Sequence, residues 1–132
     1  MVFLKMLKPF NEKKLFLIAL LAAGLPIWFV SYHTYTKGML IIISEVLVFL
    51  LATYTSFQTK NKHKAILFTV AGGFILAIVS KIIIDILINP TDHNLWPFEL
   101  VLYMMAAFIF SGAGVGLGWG MRKLLSNAEK PD

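Results

Sequence analysis

Four long apolar runs decide what this chain can fold into: Leu15 to about Tyr35, Met39 to about Phe57, Ala65 to Ile88 and Phe98 to Met121. Each is about 20 residues or more, the length at which a helix rising 1.5 Å per residue crosses a hydrocarbon core about 30 Å thick. Strands of a membrane barrel would be half as long and would alternate polar with apolar residues, which these runs do not. The expected fold is therefore all-α: an integral membrane four-helix bundle in one domain, 1–132, ending in a polar tail at 126–132. Composition agrees, with 58% hydrophobic and 14% charged residues, against about 25% charged in ordinary soluble domains. A soluble fold this small would expose large apolar patches, and lipid removes that problem.

The basic residues orient the spans. Lys5, Lys8, Lys13 and Lys14 precede the first run, Lys60, Lys62 and Lys64 lie between the second and third, and Arg122, Lys123 and Lys130 follow the fourth. Only Lys37 and Lys81 lie elsewhere. By the positive-inside rule both termini and the middle loop face the cytoplasm of a multi-pass cell-membrane protein, and the short connections imply an up-down-up-down path. Tyr32, Tyr35, Trp96 and Phe98 mark the outer interface, and Tyr54, Phe57 and Trp119 the inner one. The first run is too long for a secretory signal, and no small-residue cleavage pattern precedes Ser31-Tyr32-His33-Thr34, so it reads as a retained span.

The same charge pattern argues against nucleic acid, because no soluble segment carries a basic face with stacking aromatics. The absence of cysteine excludes disulfide exchange, thiolate metal sites and cysteine nucleophiles. No motif calls for a cofactor, and no catalytic residue is assigned.

Three charges lie inside the runs, where each costs about 2.5–3.5 kcal/mol near the bilayer centre. Glu45 and Lys81 both fall about seven residues below the outer ends of their spans, roughly 10 Å deep, so an ion pair between the second and third helices is expected. Asp85 follows Lys81 by one turn on the same face. Thr69, Gly73, Ala77 and Ser80 share that face, and this small, polar stripe should turn Lys81 inward. Glu45, Lys81 and Asp85 thus form an intramembrane polar cluster, serving either as a clamp or as a relay.

A second cluster is expected just outside: His33 with Asp92, His93, Asn94 and Glu99. Histidines and carboxylates together suit a divalent metal or acid–base chemistry. No H-E-x-x-H spacing supports a metal, however, and no metal ligand is assigned. The local reading makes Asp92 or Asn94 the N-cap of the fourth helix and Glu99 a partner of its positive end, with both histidines solvated.

The fourth run ends in alternating glycines. Gly112, Gly116 and Gly120 form one line on a helix, and Gly114 and Gly118 another, so the stretch reads as a glycine zipper that admits a second backbone. A homo-oligomer through this helix, or a partner membrane protein, is expected beside membrane lipid. Gly24 with Pro26, and Gly72 with Gly73, are candidate receivers of the ladder or sites of a bend. The function these features suggest first is a small homo-oligomeric transporter or channel. They also suit a noncatalytic subunit or assembly factor, and the outer cluster leaves open an outward-facing enzyme or metal-binding protein.

Overall fold

The structure, a computed structural model, describes residues 11–33 and 39–129. The expected roles of Tyr35, of Lys5, Lys8, Lys37 and Lys130, and of the last three residues of the tail lie outside these. Among the described residues there are four long helices and no strand: α1 Glu12–Trp28, α2 Met39–Gln58, α3 His63–Ile88 and α4 Trp96–Ala128. Three of them, α2, α3 and α4, are long and apolar enough to cross a membrane.

Local chemistry explains most of the ends. Asn11 caps α1 by accepting the Lys14 N–H at 3.1 Å, with Glu12 beside the positive helix end. α1 stops at Trp28 rather than running on to about residue 35. Pro26 removes one helical donor and loosens the last turn, and the Trp28 indole donates to the Ala77 carbonyl of α3 at 3.2 Å. α3 ends where Asn89 donates to the Asp85 carbonyl, just before Pro90. α4 corrects two expectations. Its N-cap is Leu95, with no side-chain cap, rather than Asp92 or Asn94, and the helix takes in residues 126–128 of the polar tail. Asp92 and Asn94 belong to the preceding turn, in which the Asn89 side-chain oxygen accepts from the Thr91 N–H and hydroxyl. Pro97 instead supplies the preset backbone of the first helical turn.

The most extensive interfaces are α2 with α4 and α1 with α3, ahead of the chain neighbours. Both run in the same sense. Gly73 of α3 seats Ala19 and Leu20 of α1, and Trp28 and Val30 meet Ala77 and Lys81 farther along. A methyl group at Gly73 would stand 2.7 Å from the Ala19 β-carbon, so the two backbones touch. On the other side, Gly114 faces Phe49, Ala52 and Thr53, while Gly118 faces Thr53, Ser56 and Phe57. The receiver of the glycine ladder is therefore α2, not α1 or α3.

The ladder also divides. Gly116 and Gly120 have nothing within 4 Å, and Gly112 meets only the tip of Leu67 at 3.8 Å. One line builds the α2–α4 seam, and the other leaves open space.

Serines finish these contacts. Ser44 donates to the Ala23 carbonyl at 2.8 Å, and Ser56 donates to the Val115 carbonyl at 2.9 Å. Both bond a backbone acceptor across a helix pair. The buried apolar side chains around them include Ile27, Val48, Ala52, Ile66, Val70, Phe74, Ala77 and Ile78.

Candidate functional site

Lys81, Asp85 and His93 are the ionisable side chains buried inside the described residues, and they touch one another. Gly73, Ala77 and Lys81 recur every four residues along the inward face of α3, which places Lys81 at 1% exposure. Its ammonium donates to an Asp85 oxygen at 2.6 Å and to the Val30 carbonyl beyond the end of α1. Asp85 comes one turn later and bonds His93 Nε2 through its second oxygen at 2.8 Å.

His93 reaches this position through an unusual backbone. Its φ of 56° lies in the left-handed region, which a non-glycine residue occupies at a cost of about 1–3 kcal/mol. The turn drops the imidazole into the interior at 1% exposure, with Nδ1 against Glu99 of the first turn of α4. The Tyr32 hydroxyl donates to the other Glu99 oxygen at 3.1 Å, and the Tyr32 ring lies over His93 with centroids 4.0 Å apart.

The two expected clusters are thus one chain: Lys81, Asp85, His93, Glu99, Tyr32. Asp85 belongs to both halves. The expected Glu45–Lys81 pair is absent among the described residues. Glu45 is half-buried on α2, while Asp85, one turn from Lys81 on α3, already holds the ammonium. Local geometry wins because an i, i+4 partner requires no approach of a second helix.

Of the outer residues, His33, Asp92, His93, Asn94 and Glu99 all line one open recess of about 390 Å³, together with Tyr32. His33 is exposed, as the solvated reading of the histidines requires, whereas His93 is not, and Asn94 is exposed as well. Among the described residues no group of three or more His, Asp or Glu side chains has the geometry to hold a metal ion. In the sequence, Tyr32 reads only as part of the aromatic belt. A tyrosine 67 residues from its acceptor leaves no trace in spacing.

Protons in the chain can be counted from geometry. Each His93 nitrogen faces a carboxylate oxygen, so one proton must lie in each contact. The ring with two carboxylates then carries one net negative charge, whether the shared proton resides on nitrogen or oxygen. Lys81 cancels it. The network is neutral as a whole, which is how four ionisable groups tolerate burial. Glu99, with its side chain 21% exposed, is the member nearest water.

Compared with protein-family models, curated proteins and solved structures, the chain matches none.

Proposed function

We propose that this is a four-span membrane protein, up-down-up-down with both termini in the cytoplasm, that acts as a noncatalytic subunit or assembly factor. The observation that carries the reading is the closure of the ionic chain. It joins the end of α1, the body of α3, the following turn and the start of α4, and it leads into an apolar interior rather than a continuous polar path. Such a chain works as a lock that selects one helix arrangement, the best-attested use of buried charge. The 17 residues of α1 span about 25 Å as a helix, and the residues after it complete the crossing. Sidedness rests on the basic end of the molecule.

The test is flux. Purified protein in liposomes carrying an internal pH dye should pass protons and alkali cations no faster than empty liposomes. Flux that Asp85→Asn abolishes would overturn the reading.

One observation favours a second reading, the small homo-oligomeric transporter. Glu45 is a half-buried carboxylate outside the lock, on a helix that also presents Ile42, Ile43, Val46 and Leu47 outward. In an assembly of copies it would line a seam, as intramembrane carboxylates on transport routes do. Glu45→Gln would then remove flux while leaving thermal stability unchanged.

A further inference from the structure

The end of the molecule opposite the lock gathers cations from three separate elements. Lys13 and Lys14 open α1, Lys60, Lys62 and Lys64 surround the start of α3, and Arg122 and Lys123 lie near the end of α4. The acids there, among the described residues, are Glu12 and Glu129. Lys13, Lys14, Lys60, Lys62, Lys64 and Lys123 are exposed. Arg122 is pinned across the α2–α4 seam by a 3.0 Å bond to the Phe57 carbonyl, and Lys123 lies 5.0 Å from the centre of the Trp119 ring. Trp119 and Phe57 mark the level at which apolar surface gives way to charge, the depth of lipid phosphates.

The start of α3 adds shape to this charge. It carries no side-chain cap, and it borders an open recess of about 620 Å³ lined by Glu12, Asn61, Lys62, His63, Lys64 and Ala65. Ser56 donates its hydroxyl proton to Val115 and therefore accepts from His63 Nδ1 at 2.9 Å. That fixes the proton on Nδ1 of the neutral ring. His63 Nε2 is left as a covered polar atom with no partner among the described residues.

We propose that this end is a binding surface for anionic phospholipid headgroups, met by the exposed lysines around the recess at the start of α3. Arg122 and Lys123 extend the same surface under α4. The site follows from membrane insertion alone and does not depend on the subunit reading. Zwitterionic lipid offers the same phosphate, but its ammonium group would meet a surface that already carries a cationic excess. The lock end, with its neutral network and half-buried Asp92 and Glu99, has no such excess and takes no part.

Native mass spectrometry of the full-length protein in mild detergent tests this. The protein is supplied with equal amounts of phosphatidylglycerol and phosphatidylcholine bearing the same acyl chains. Retention of phosphatidylglycerol should dominate. Each basic side chain near such a surface is worth about fivefold, so K60Q/K62Q/K64Q together should lower the preference by roughly two orders of magnitude. The corresponding triple arginine variant should keep it. Inorganic phosphate at millimolar concentration should leave retention unchanged. Equal retention of the two lipids, a preference untouched by the triple glutamine variant, or displacement by inorganic phosphate would each overturn the proposal. The three lysines are exposed, so folding is not at stake.

Discussion

The molecule holds its helices together in two opposite ways. At the lock, α3 and α4 and the end of α1 are joined by a chain of ionisable side chains. Along the α2–α4 seam they are joined by the absence of side chains, since Gly114 and Gly118 let α4 lie on the backbone of α2. Lipid supplies no hydrophobic drive between helices, so both devices replace it: one with charge-assisted hydrogen bonds, the other with van der Waals contact. The lock is specific and brittle, because each member depends on the next. The seam is distributed, and its strength lies in shape alone.

Removing one member of the lock should have the largest effect. Asp85→Ala takes away the carboxylate shared by Lys81 and His93, and breaking a buried ionic group in this way costs about 3–5 kcal/mol. Thermal unfolding in detergent, followed by circular dichroism, should show this loss, and K81M/D85A should recover part of it. No recovery in the double variant would mean that the two charges are uncoupled.

The seam comes next. Gly114→Val places its first carbon 2.6 Å from the Phe49 carbonyl oxygen, which no rotamer relieves. Overpacking of this kind costs about 1–3 kcal/mol. Gly116→Val provides the internal contrast, because that position meets open space and surface changes typically stay within about 0.5 kcal/mol. Equal melting temperatures for the two variants would break the distinction drawn between the two glycine lines.

Smaller still is Tyr32→Phe. It deletes the hydroxyl that donates to Glu99 but keeps the ring over His93, and a hydrogen bond to a charged group is worth about 1.5–3 kcal/mol when fully buried. Glu99 is partly exposed, so water replaces some of that and about 1 kcal/mol is expected. A loss as large as that of Asp85→Ala would make Tyr32, not His93, the hub of the lock.

Much of the framework is legible in the amino-acid order. Run length locates α2, α3 and the body of α4, because the spacing of apolar and breaking residues is a local property. The repeat Gly73, Ala77, Lys81 names the inward face of α3, and Asp85 follows from i, i+4 geometry. The site itself is less legible. His93 reads as a solvated loop residue until its left-handed turn is seen, and Tyr32 gives no sign of reaching Glu99.

What the sequence determined by itself was an all-helical chain with a basic end and helices long and apolar enough to cross a membrane, since these depend on how long each apolar run is and where lysines interrupt them. Tertiary structure alone decided which helices embrace, which glycine line carries the seam, and that Lys81 answers to Asp85 rather than Glu45. The reason is physical. A helix that is apolar on nearly every side has no stripe to announce its neighbour, so the choice falls to backbone shape and to the few polar atoms that must find partners.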